Sequence, residues 1–148
     1  MNNKRALSGY AKNIVSQFGE DGIIEELFNR IGTSQKICVE FGAWDGMHLS
    51  NTWNLWHNHE WSALLIEGHK DRFETLQSNV AAFNKVNAVN TYIALDGPTS
   101  LERVLDNYAV PKDFDLLSID IDGDDYHVFK SITGFMPRVR FAHCFSSK

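Results

Sequence analysis

The sequence predicts an α/β fold, a doubly wound parallel β-sheet of about five strands, in a single domain spanning residues 1–148. Three observations predict it. Short apolar runs alternate with amphipathic segments of about ten residues along most of the chain, the rhythm of βαβ crossovers in a parallel sheet. Several of those runs stop at a glycine or an acid-rich turn, and ligands bind such sheets outside the carboxyl ends of the strands. The chain's 148 residues, 43% hydrophobic and 22% charged, are enough for one ordinary globular core.

Residues 1–16 carry no strong periodicity and read as a lead-in. From Glu20 to Ile31, the residues Ile23, Ile24, Leu27, Phe28 and Ile31 share one helical face, and Gly32 supplies the stop. Ile37 to Phe41, closed by Gly42, is a short buried strand. A second helix is expected from about Ser50 to His57, and Ala63 to Ile66 is the next strand. Helical spacing then runs from Lys70 to Phe83 through Phe73, Leu76 and Val80. Val86 to Ala94 has a less regular strand pattern, and Thr99 to Tyr108 is helical through Leu101, Val104 and Leu105. Phe114 to Ile121 is the clearest strand. A helix from about Asp124 to Ile132 follows it, and Val139 to Phe145 is a fifth strand.

Composition narrows the function classes. A net charge of −5 argues against nucleic acid as the main partner, because phosphate recognition needs a basic footprint. Cys38 and Cys144 suit neither a disulfide framework nor a metal knuckle, and Cys38 reads as a small buried hydrophobe. With no apolar stretch long enough to span a bilayer and no signal core in Met1–Tyr10, no membrane partner and a cytoplasmic location are expected.

The chemistry-bearing residues fall after the first, second and fourth strands. The first ends Glu40-Phe41-Gly42-Ala43-Trp44-Asp45-Gly46, where the two glycines allow a tight turn and a close backbone approach. It departs from the dinucleotide fingerprint, and Glu40 and Asp45 would repel a bare diphosphate while attracting a sulfonium or ammonium group. A purely structural turn is the alternative. The second strand ends at Glu67-Gly68, with Glu67 at about the spacing from which a carboxylate accepts ribose hydroxyls. The fourth strand runs into Asp120-Ile121-Asp122-Gly123-Asp124-Asp125. Asp120, in so apolar a run, needs a partner: a ligand ammonium, a divalent metal, or a substrate proton taken as base. Asp122 shares its face if the strand persists, and helix capping accounts for Asp124 and Asp125. A metal-dependent sugar-nucleotide glycosyltransferase using Asp120 and Asp122 as D-x-D stays open. So does a non-catalytic binding module. Ser16-Gln17-Phe18-Gly19-Glu20-Asp21-Gly22 reads either as helix capping or as a lid over the ligand.

The segments SQFGEDGIIEELF, VEFGAWDGMHLSNT, LLIEG and DFDLLSIDIDGDDYHVFKSI together resemble the FkbM-like branch of class I S-adenosylmethionine (SAM)-dependent methyltransferases, over about Ser16 to Val139. The resemblance implies a Rossmann-like sheet in the order 3-2-1-4-5 and SAM as cofactor. It implies that Glu40, Gly42, Ala43, Trp44, Asp45 and Gly46 form the first SAM motif, with Glu67 on the ribose. Asp120 would lie near the methionine moiety or the acceptor, and Asp120 or Asp122 would serve as catalytic base. The acceptor it implies is a small molecule or sugar, methylated on oxygen. A divalent metal would suit the same carboxylates, but no metal is predicted. Relatives continue into a final β-hairpin that this chain lacks. The expectation is a truncated sheet whose fifth strand is an exposed edge, with self-association and doubtful activity as consequences.

Overall fold

A computed structural model describes residues 6–120 and 125–142 of the chain, with the backbone alone at Asp125 and Tyr126. Parallel pairing joins β1 (Ile37–Phe41), β2 (Ser62–Glu67), β3 (Val86–Asn90), β4 (Leu116–Ile119) and β5 (Val139–Ala142) into one sheet, ordered β3-β2-β1-β4-β5. The helices are α1 (Glu20–Ile31), α2 (Trp53–Asn58), α3 (Lys70–Val80), α4 (Leu101–Asn107) and α5 (Asp125–Ser131), preceded by a 3-10 turn over Leu7–Tyr10. The predicted α/β class and strand order are those observed. Among the described residues, no helix is long and apolar enough to cross a membrane.

Strand periodicity sorts the core into two layers. Cys38, Ala63, Leu65 and Leu116 face one side, where Ile24 and Phe28 of α1, Leu55 and Trp56 of α2, and Leu76 and Val80 of α3 cover them. Val39, Phe41, Leu64, Ile66, Leu117 and Ile119 face the other side, under Leu101, Val104 and Leu105 of α4 and Val128 of α5. The strands read as nearly continuous apolar runs because both faces are covered. The helices change face after β3, where the chain crosses back to place β4 beside β1. Strand order reverses there, at the carboxyl ends of β1 and β4, the place where such sheets bind ligands.

Several boundaries differ from the sequence reading, each for a local reason. The Ser50 hydroxyl accepts the backbone N–H groups of Thr52 and Trp53, so residues 50–52 form a turn and α2 begins at Trp53. Strand β3 stops at Asn90, whose side-chain amide donates to the Glu67 and Gly68 carbonyls and bends the chain away. At its other end the sheet finishes in β5, which pairs with β4 through Val139 to Ala142. The expected extension of β5 to Phe145 lies outside the described residues.

Candidate functional site

A cleft of about 490 Å³ opens at the carboxyl ends of the strands, within the size range of small-molecule sites. Phe41 and Gly42 from β1, Glu67 and Gly68 from β2, Tyr92 and Ile93 beyond β3, and Asp120 beyond β4 line it. A larger hollow of about 610 Å³ lies between residues 95–98, α4 and Ser131, and it contains none of the sequence-predicted site residues.

The loop after β1 is held in shape from several directions. Gly42 takes a φ of 83°, and both Gly42 and Ala43 donate backbone N–H bonds to the Ile66 carbonyl. Trp44 follows with a φ of 51°, a left-handed conformation that costs a non-glycine residue about 1–2 kcal/mol. Its N–H donates to Glu67 Oε2 at 2.8 Å, which fixes the indole on the cleft wall, 41% exposed. The Arg72 guanidinium from α3 lies 3.4 Å from the centre of that indole ring, a cation–π contact inside the cleft. Asp45 turns inward on the loop itself, accepting the N–H groups of Met47 and His48 through Oδ1. Gly46, with a φ of 86°, packs where a Cβ would come within 2.8 Å of Leu76 Cδ1.

Glu67 ends β2 with its carboxylate almost wholly buried. Oε2 accepts from Trp44 and Oε1 from the His69 N–H at 2.7 Å, so two backbone donors set its orientation. A carboxylate offers about four lone-pair positions, so two remain for a ligand. Beside it Gly68 carries the Tyr92 ring, with which a Cβ at position 68 would collide. Asp120 enters the cleft from β4, its backbone N–H bonded to the Phe41 carbonyl at 3.0 Å.

Glu40 lies behind the cleft rather than in its lining. Its register partner on β4 is Ser118, and both side chains lie on the α1–α3 side of the sheet behind the cleft wall. Glu40 Oε1 accepts the Asn51 N–H, while Oε2 accepts the hydroxyls of Ser50 at 2.6 Å and Thr52 at 2.8 Å. The Asn51 side-chain amide completes the group by donating to Ser118 Oγ. Burial pushes the Glu40 carboxyl up to about 7, against the three donors that favour its charged form, with nearby Asp120 adding to the rise. The residue pins the loop rather than lining the cleft. Ala43, Asp45 and Gly46 are likewise absent from the lining: Ala43 is core, and the other two build the turn. The cleft therefore brings together Gly42, Trp44, Glu67 and Asp120 of the predicted set, and Asp122 lies outside the described residues. Sequence reasoning passed over His69 and Arg72, at the start of α3, and Tyr92, beyond β3, which line the cleft without any shared motif. Among the described residues, no group of three or more His, Cys, Asp or Glu side chains is arranged to hold a metal ion.

No family model matches this chain, and no curated protein does. Solved structures do match. The glycopeptide N-methyltransferase MtfA complexed with SAM aligns with a TM-score of 0.53 and 13% identity, over 93% of this chain and 56% of that one. The METTL16 MTase domain gives 0.51 and 15%, over 74% of this chain and 43% of that one. The fibrillarin/Nop5p complex gives 0.50 and 17%, over 69% and 45%. The fold is that of SAM-dependent methyltransferases. This chain spans about half the length of the structures it matches.

Proposed function

We propose that the chain binds SAM in the cleft and belongs to a methyltransferase of the FkbM-like kind, acting on an oxygen of a small molecule or sugar in the cytoplasm. One observation carries the reading. Glu67, oriented by two backbone donors, and Asp120 converge on one cleft at the point where strand order reverses. Those carboxylates suit the ligand: one with lone pairs to spare accepts from a ribose diol, and negative charge welcomes a sulfonium and an ammonium group. The left-handed Gly42 leaves the backbone open to close approach.

Glu67 would hold the ribose hydroxyls, Gly42 and Trp44 would flank the nucleoside, and Asp120 would face the methionine end. Bound there, SAM supplies an activated methyl group. The chain's own contribution is to orient the acceptor oxygen and keep water out, which lowers the barrier by positioning. Asp120 would take the acceptor's proton as general base, a role its place on the cleft lining supports.

A thermal melt with and without SAM tests the reading. SAM at a hundredfold its Kd stabilises the fold by about 2.7 kcal/mol. For a chain of this size that raises Tm by roughly 5–10 °C. A folded chain with an unmoved Tm at millimolar SAM would refute the proposal.

A further inference from the structure

The motif Ser16–Gly22 is more than a helix cap. The chain leaves the 3-10 turn, loops out over residues 13–18 and returns at Gly19, where Lys12 N–H meets the Gly19 carbonyl and Gly22 N–H meets the Lys12 carbonyl. Both glycines serve that crossing. Gly19 takes a φ of 93° against Ala11, and a Cβ at Gly22 would collide with the Tyr10 carbonyl oxygen. Inside the loop sits Asp21, 3% exposed, whose Oδ2 accepts the N–H groups of Ile14, Val15 and Ser16 and the Ser16 hydroxyl, all within 3.0 Å. Glu20 accepts the Phe18 N–H at 2.6 Å. Asn13 ties the two arms, accepting from Gly19 N–H and donating to the Gln17 carbonyl. Five of the seven motif residues are thus spent on holding the loop. Only the side chains of Gln17 and Phe18 are turned outward, and Gln17 lines the cleft that Glu67 and Asp120 share.

We propose that this strap is a fixed wall of the cofactor site, in which Gln17 binds a polar group of SAM through its side-chain amide and Asp21 is its positioning residue. The inference rests on the SAM-binding reading and extends it to the amino-terminal segment. Capping alone gives no reason for four donors on one carboxylate oxygen, since a single acceptor satisfies a cap. Three successive backbone N–H groups wrapped on an anion make a rigid nest, and a rigid wall presents a binding side chain at low entropic cost. A primary amide both donates and accepts, so it suits the hydroxyl, amino and carboxylate groups of such a ligand.

The test is calorimetric titration of SAM into the full chain and into Gln17→Ala, Asp21→Asn and the double variant, each with its Tm. Gln17 is exposed, so Gln17→Ala should melt like the parent yet bind SAM about fivefold more weakly, the worth of one neutral hydrogen bond. Asp21→Asn should lower both Tm and affinity. The double variant should bind within about twofold of the weaker single variant, because the two residues act through one contact. Unchanged affinity in Gln17→Ala overturns the inference while leaving the cofactor reading intact. Lowered Tm with full affinity in Asp21→Asn reduces Asp21 to a structural role and overturns its assignment. A parent chain that gives no heat with SAM defeats the cofactor reading itself, and this inference with it.

Discussion

Replacing Glu40 by Gln should flatten the pH dependence of stability, because Glu40 is a carboxyl buried to 2% exposure and raised from 4.5 to about 7. The folded state holds this proton more tightly than the unfolded chain does. The group's contribution to stability is therefore fully present below about pH 4.5 and is lost as pH rises through about 7. At about 1.4 kcal/mol per pH unit, the whole displacement is worth about 3.4 kcal/mol. Between about pH 5 and pH 8 some 2.5 kcal/mol of it is lost, roughly 5–10 °C in Tm. Glutamine cannot titrate, so Glu40→Gln should remove that part of the slope. Its amide meets a Ser50 hydroxyl that already accepts two backbone bonds, which adds a cost independent of pH. Slope, not level, is accordingly the quantity to compare. Urea melts of parent and variant at both pH values measure it, and titrating groups that do not feel Glu40 cancel in the difference. Equal slopes would show that Glu40 is charged throughout and that its three donors outweigh its burial.

Glu67→Gln places an N–H₂ against one of the backbone N–H groups of Trp44 and His69, so Tm should fall and SAM affinity drop about ten- to a hundredfold, read by calorimetry. Asp115 is fully buried and accepts from the N–H groups of Ser34, Gln35, Lys36 and Ile37. Desolvation would raise its pKa, but those four donors together hold it below the usual carboxylate value. The stability it provides is present above that usual value and lost as pH falls. Asp115→Ala should cost about 3 kcal/mol or more in denaturant melts at neutral pH, as the donors lose their acceptor. Gly46→Ala forces a left-handed backbone onto alanine and pushes into Leu76, and a loss of about 1–3 kcal/mol is expected in the same assay.

Much of this architecture was legible because its signals are local. Ile24 and Phe28 at helical spacing, Gly32 as a stop, and short mostly apolar strands such as β1 all report on neighbours a few residues away. Parity could also have placed Glu40. It shares its face of β1 with Cys38, and a residue inside a doubly covered strand points at a helix layer, not off the strand's end. Glu67 and Asp120 were readable because they stand at or beyond strand ends, where the fold itself aims them. Arg72 and Tyr92 were not, since each reaches the cleft through a contact between distant segments, Arg72 of α3 on Trp44 and Tyr92 on Gly68. For Ser16–Gly22, capping and a cover for the ligand were both visible. The crossing of residues 12 and 19, which no periodicity encodes, became visible only in the fold.

The four-pronged clasp on Asp115 has a bearing on how the molecule is made. It joins the residues just before β1 to a side chain about eighty positions later. During synthesis β1, β2 and β3 can zip together as soon as they emerge, but the central strand keeps a naked flank until β4 is translated and slides in beside it. Such distant parallel pairing is slow. A ribosome pausing before residue 115 would leave a half-built sheet with its most apolar strand open to strangers, so chaperone demand should peak in that interval.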